Sequence, residues 1–256
     1  MNRVTSISGA LKRLYDWLVV SDPCQPADVI FVLAGRECRK HFALRLFQEG
    51  LAPALLISVG RFEIRRFSNL NLPDSLDLLA VAATTEPRRR HYFVRVGHGT
   101  VESQRIAVRR FGTLSEIRAF ADWLREHPSI RSAMVVSSGF HLKRVRMCCR
   151  RLVPDGVRLR FIAVPEEGRF SSADWWRDAS VRRLVLSEAM KVLIYKLLPQ
   201  GLMLTPRSSL CWPREARNTD WVSVEGRSES EMSNASLQAT RREGHQVFRA
   251  GKMQTL

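Results

Sequence analysis

Two rhythms alternate along the first two hundred residues: short uninterrupted apolar runs, and longer stretches whose apolar positions recur every three or four residues. Residues 8–19 carry the second rhythm and predict a short amphipathic helix, ended by the turn chemistry of Ser21-Asp22-Pro23. Asp28 then leads the run VIFVLAG, which stops at Ala34-Gly35. A strand with one wet face alternates, so a run apolar on both faces predicts a buried parallel strand. Residues 36–50 return to helical spacing through Phe42, Leu46 and Phe47, with Gly50 as the C-cap. A second strand is predicted at 54–59, ending on Gly60, which makes strand, helix and strand a βαβ unit.

The pattern beyond is looser. It predicts a short helix at 75–83, strands at 91–96 and 105–108, and a helix over 113–126 with Leu114, Ile117, Phe120, Ala121 and Leu124 on one face. Residues 133–137 predict another buried strand, followed by a helix near 140–152 and a strand at 158–164. A loop containing Trp175-Trp176 leads to a long helix near 180–198. This alternation predicts an α/β fold: a Rossmann-like, open, mostly parallel sheet with helices on both faces and a C-terminal packing helix. From about Pro206 the periodicity vanishes. Residues 1–200 are therefore expected to be the domain, and residues 201–256 a polar, disordered tail.

Charge is the compositional outlier among 256 residues: 41 Lys+Arg against 25 Asp+Glu give a net +16, and 35 of the 41 cations are Arg. A surplus of this kind first suggests nucleic acid, anionic lipid or phosphorylated ligands. Its position narrows the choice. Residues 201–256 are only +2 and residues 1–200 are +14, so the surplus belongs to the fold and not to a detachable basic arm. The five cysteines, Cys24, Cys38, Cys148, Cys149 and Cys211, contain no C-x-x-C pair and point to a reduced, cytoplasmic setting. No stretch has the ~20 uncharged apolar residues of a membrane span. The most apolar candidate, 181–198, contains Arg182, Arg183, Glu188, Lys191 and Lys196.

In open α/β sheets ligands bind outside the carboxyl ends of the strands. Three such junctions carry polar residues. In AGRECRK, Gly35 permits a sharp turn, and Arg36, Arg39 and Lys40 sit in the first helical turn, where cations oppose the helix dipole and a bound anion would relieve them. In SVGRFEIRR, Ser58 and Gly60 end the second strand, and Arg61 with Glu63 are expected to form an ion pair. In SSGFHLKR, Ser137 and Ser138 end a buried strand, and His141 and Arg144 share a helix face beside free N–H groups, an anion or carbonyl site. A fourth element, Thr113-Leu114-Ser115-Glu116, reads as a capping box that also brings Glu116 to the ligand edge. His141 and Glu116 are the candidate catalytic groups. Gly35, Arg36, Arg39, Ser58, Gly60, Arg61, Thr113, Ser137, Ser138 and Arg144 are the candidate ligand-binding ones.

Together these motifs resemble the YdcF/SanA/ElyC-like domain family. The Asp-led strand 28–35, Arg39, Gly50-Leu51-Ala52-Pro53, Ser58-Val59-Gly60, the Thr113 to Glu116 helix start and SSGFHLKR carry the likeness, which spans roughly residues 10–198. Trp175-Trp176 followed by Glu188 and Lys191 is similar to the C-terminal part of a soluble subgroup. Where many members have Thr-x-Glu-Asn, this chain places Ser115 and Glu116. The resemblance implies a Rossmann-like domain, a setting in cell-envelope or surface-polysaccharide metabolism, and, through one branch, S-adenosylmethionine as a cofactor.

Other chemistries have less support. The six histidines are scattered without metal-ligand spacing, and no P-loop or G-x-S-x-G motif is present. Cys148-Cys149 lies within a helical pattern and reads as core. Three functions therefore stand in order: binding of an anionic or phosphate-bearing small molecule, with hydrolase or transferase chemistry as its extension; a non-catalytic nucleotide or S-adenosylmethionine-type module; and, last because no RNA or DNA motif supports it, a basic surface for nucleic acid or for peripheral contact with an anionic membrane.

Overall fold

The uninterrupted apolar runs become strands buried on both faces, and the three-and-four stretches become the helices that bury them. The protein is described here as a computed structural model covering residues 2–67, 70, 78–97, 100–108, 111–165, 174–197 and 222–225. In chain order the elements are α1 (Asn2–Leu18), β1 (Val29–Val32), α2 (Glu37–Gln48), β2 (Leu55–Val59), α3 (Ile64–Phe67), α4 (Leu78–Ala83), a 3₁₀ turn (Pro87–Arg89), β3 (Tyr92–Val96), β4 (Thr100–Arg105), α5 (Gly112–Glu126), β5 (Ser132–Ser138), α6 (Gly139–Leu152), β6 (Arg158–Val164), α7 (Ala179–Leu197) and β7 (Val222–Glu225).

The sheet runs β6-β5-β1-β2-β3-β4-β7. Its parallel part is β6-β5-β1-β2, and β3, β4 and β7 continue it antiparallel. The chain steps from β1 outward to β2 in one direction and later to β5 in the other, so the strand order reverses beside β1. In open α/β sheets the ligand crevice lies at such a switch point, outside the carboxyl ends of the strands. Because β3 is antiparallel, Tyr92 pairs with Val59 and the start of β3 lies at the same sheet edge as the end of β2.

Strand parity divides the core. Ile30, Val32, Leu55, Ile57, Met134 and Val136 face one side with Ala43, Leu44 and Leu46 of α2. Val29, Phe31, Leu33, Leu56, Phe93 and Val135 face the other with α5 and α6. There Phe31 stacks on Phe120 at 4.1 Å between centroids. Trp175 is fully buried against Tyr15, Leu18, Phe140 and Val185, and its indole N–H donates to Leu11 O at 3.2 Å, so it anchors α7 and α1 on α6. At the edge away from the crevice, Asp28 Oδ2 accepts from the Arg131 and Ser132 amides at 2.8 and 2.7 Å and from Ser132 Oγ at 2.9 Å. The leading Asp of the first strand thus sets the β1–β5 register.

Three expectations are corrected. The strand expected at 105–108 lies at Thr100–Arg105. Its inward positions include Ser103 and Gln104, so it lacks the apolar run that marks the central strands. The first helix starts at Asn2, a turn and a half before the amphipathic pattern begins. Within the stretch read as a disordered tail, Val222–Glu225 pairs antiparallel with β4, while the rest of 201–256 lies outside the described residues, as do residues 75–77 of the predicted short helix. Among the described residues no helix is long and apolar enough to cross a membrane.

Candidate functional site

Two polar clusters occupy the carboxyl edge of the parallel strands. The first is built on β2, β3 and α5. Ser58 shares the parity of Leu56 and so points to the α5 side, where Glu116 reaches it from the first turns of its helix. Glu116 Oε1 accepts from Ser58 Oγ at 2.6 Å and from the Ala34 amide at 3.0 Å. Ser58 Oγ is also 2.9 Å from Nε2 of His91, which lies 3.7 Å from the carboxylate, beyond hydrogen-bond reach. Burial alone would raise the pKa of Glu116. The contacts from His91, Ser58 and the Ala34 amide outweigh it and hold the group at about 2.

Glu116 therefore does not close a capping box. α5 begins at Gly112 with Phe111 as its N-cap and no side-chain cap bond, and Thr113 Oγ1 accepts instead from Arg144 Nη1. Two tertiary partners outbid one local one, because each satisfies a group that burial would otherwise leave unpaired.

Glu63 organises the turns that follow β1 and β2. Its Oε1 accepts from the Gly35 amide at 2.7 Å and its Oε2 pairs with the buried Lys40 ammonium. The expected Arg61–Glu63 pair is absent; Arg61 is exposed, with its guanidinium 4.4 Å from the Phe62 ring centroid. The cation crowding at the start of α2 is relieved from within. Lys40 goes to Glu63, and Arg39 donates from Nε to Ser138 Oγ at 3.1 Å and from Nη1 to Ala34 O at 2.8 Å. Only Arg36, the N-cap residue, stays exposed.

Gly35 has φ +133°, and a Cβ there would sit 2.8 Å from Arg39 Nη1. Gly35→Ala is expected to cost about 1–3 kcal/mol, read as a lower urea midpoint, because the backbone is strained for any L side chain and Arg39 must leave its seat.

The second cluster joins α6 to α7, with the side chains of His141, Arg144 and Glu188 buried. Arg144 donates to both oxygens of Glu188 from Nη2, at 3.1 and 2.9 Å, and from Nε at 3.1 Å. His141 Nδ1 lies 2.8 Å from Arg144 Nη2 and 3.2 Å from Glu188 Oε2. Lys191 reaches Glu188 Oε1 at 2.8 Å, and Tyr195 lies under the guanidinium with its centroid 5.3 Å away. Burial lowers the pKa of His141 to about 4, assisted by the charges of Arg144 and Arg39 and opposed by Glu188, so the ring is neutral at pH 7. For Glu188, burial again acts upward, but the groups gripping it hold it far below the usual carboxylate range.

Seven of the predicted residues thus fall into three sets. Ser58 and Glu116 meet His91, which sequence reasoning passed over as one of the scattered histidines; its only signal is its place at the head of HYFVRV, and the antiparallel pairing that gives this meaning is invisible locally. Thr113, His141 and Arg144 meet Glu188 behind the surface. Arg39 and Ser138 lie between, and the charge of Arg39 acts on both Glu116 and His141. Ser137 Oγ is buried with no hydrogen-bond partner among the described residues. Cys148 is buried and its thiol pushed up to about 12 by desolvation, which leaves it inert. Among the described residues no cluster of His, Cys, Asp or Glu is arranged to hold a metal ion.

An open cleft of about 400 Å³ runs over the first cluster, lined by Ala34, Gly35, Gly60, Arg61, Phe62, Glu63, Arg88, Arg90, His91 and Val108. Arginines come to it from the turn after β2 and from the 3₁₀ segment before β3. Of the five cations expected at this edge, Arg36 and Arg61 face solvent, whereas Arg39, Lys40 and Arg144 are engaged internally. No family model, no curated protein and no solved structure matches the chain.

Proposed function

We propose that this protein binds an anionic, phosphate-bearing small molecule in the cleft at the carboxyl edge of β1 and β2. The observation that carries this reading is the lining of that cleft: Arg61, Arg88 and Arg90 with His91 around an open volume of about 400 Å³, above two turns made narrow by Gly35 and Gly60. Guanidinium groups fork onto phosphate oxygens and keep their charge at any physiological pH. A volume of this size suits a nucleotide or sugar phosphate more than a polymer. The motifs shared with the YdcF/SanA/ElyC-like family favour an envelope-glycan precursor as the ligand class.

Calorimetric titration with inorganic phosphate and pyrophosphate tests the reading. The double substitution Arg61→Ala, Arg88→Ala is expected to weaken binding roughly tenfold to a hundredfold, since each charge-assisted hydrogen bond contributes about 1.5–3 kcal/mol and one of the two can be bridged by water. Both side chains are exposed, so the melting temperature should hardly move. Unchanged affinity in the double variant would rule the cleft out.

A further inference from the structure

The first cluster contains a chain of hydrogen bonds whose direction can be deduced. Glu116 is ionised and buried, so it only accepts. Ser58 Oγ has one proton and a 2.6 Å bond to Glu116 Oε1, so that proton points at the carboxylate. The other contact of Ser58 Oγ, 2.9 Å to His91 Nε2, must then be one in which the serine accepts and the ring donates. His91 is held with its proton on Nε2. In the neutral ring the lone pair is then on Nδ1, which has no hydrogen-bond partner among the described residues. The ring lines the cleft with its side chain 14% exposed, whereas Ser58 is fully buried and unreachable as a nucleophile.

We infer that His91 is the general base of the cleft, and that the bound phosphate ester is hydrolysed there by a water whose proton passes to His91 Nδ1. The inference rests on the phosphate-binding reading of the same cleft. In the step, the water oxygen forms a bond to phosphorus as the bond from phosphorus to the ester oxygen breaks. The water proton goes to Nδ1, and the imidazolium then returns a proton to the departing alkoxide, so the ester and water become an alcohol and inorganic phosphate with His91 neutral again. Arg61 and Arg88 stand in the lining where the transferred group's oxygens would lie. Ser58 and Glu116 are positioning residues: they fix the tautomer, and the carboxylate 3.7 Å from Nε2 stabilises the imidazolium during the step. This is the logic of a carboxylate-backed histidine with a serine inserted as the link.

Three measurements test it together. Nitrogen-15 imidazole shifts of the unaltered protein are expected to show His91 as the Nε2–H tautomer, and the other tautomer would overturn the inference without any variant being made. Ser58→Ala should release that preference, and a ring unaffected by it would equally count against the relay. Turnover is read with p-nitrophenyl phosphate and its bis-ester: His91→Gln should lower kcat about 10²–10⁴-fold, the usual weight of a positioned acid–base group. Affinity for inorganic phosphate is read on the parent protein, so that binding and turnover are scored apart. Phosphate binding without hydrolysis, or hydrolysis indifferent to His91→Gln, overturns the general base and leaves the binding site standing. Absence of phosphate binding overturns the binding reading and the base with it.

Discussion

Glu188→Ala is expected to destabilise the protein by about 3–5 kcal/mol, the range found when one partner of a buried ion pair is deleted. Glu188 answers three groups at once: Arg144 through both its oxygens, His141 Nδ1 and Lys191. Among the described residues, removing it leaves the Arg144 guanidinium, with its side chain 8% exposed, holding only the Thr113 hydroxyl, the His141 nitrogen and the Tyr195 ring. The cost comes from that uncompensated charge more than from the lost bonds. The double substitution Glu188→Leu, Arg144→Met should therefore recover most of the loss, because neither charge then remains to be solvated. Urea denaturation of the single and double variants reads both effects, and a single variant within about 1 kcal/mol of the parent would show that water already reaches the cluster.

Acid should act on the same cluster through His141. Its pKa falls from 6.5 in the unfolded chain to about 4 in the fold, so between those values the unfolded chain binds more protons and stability rises with pH. Lowering pH from 6.5 to 4 should thus remove about 3 kcal/mol through this one ring, from the conversion of about 1.4 kcal/mol per unit. Glu116, depressed from 4.5 to about 2, has its stabilisation present above 4.5 and loses it only as pH falls toward 2. The His141 loss therefore comes first and separately. His141→Gln keeps a hydrogen-bonding side chain without a titrating one, and it should flatten stability between pH 6.5 and 4. A variant with the parent's slope would place the acid sensitivity elsewhere. At pH 7 the same variant distinguishes roles: lost phosphate binding at unchanged stability would return His141 to the ligand site, and lost stability alone marks it as a linchpin of α6 and α7.

Much of the fold could be read along the chain because its signals are local. The runs at 29–33, 55–59 and 133–137 lie in the sheet's interior, where burial on both faces leaves no room for alternation. Helical spacing at 113–126 reports the single apolar face of α5. Thr100–Arg105 escaped because a strand at the antiparallel end of the sheet tolerates Ser103 and Gln104 inward, next to the exposed Thr100 and Arg105. At the site, spacing placed Glu116, Ser58 and Arg39 at one edge but not their partners. The local box at Thr113 to Glu116 and the local pair of Arg61 with Glu63 both gave way to contacts spanning from 23 to 82 residues, such as Lys40 with Glu63 and Ala34 with Glu116.

The amino-acid sequence by itself determined the elements, their order and the edge where polar residues gather, since each of these follows from periodicity, turn residues and charge within a few positions of one another. Only the tertiary structure decided how the charges are used. Glu63, Glu116 and Glu188 arrive from separate elements to meet Lys40, Ser58 with His91, and Arg144, and a desolvated ion selects its partner by proximity in space, on which sequence neighbourhood has no bearing. The surplus of arginine is thereby divided: Arg39 and Arg144 are bound inside the fold, and Arg61, Arg88 and Arg90 line the cleft over His91.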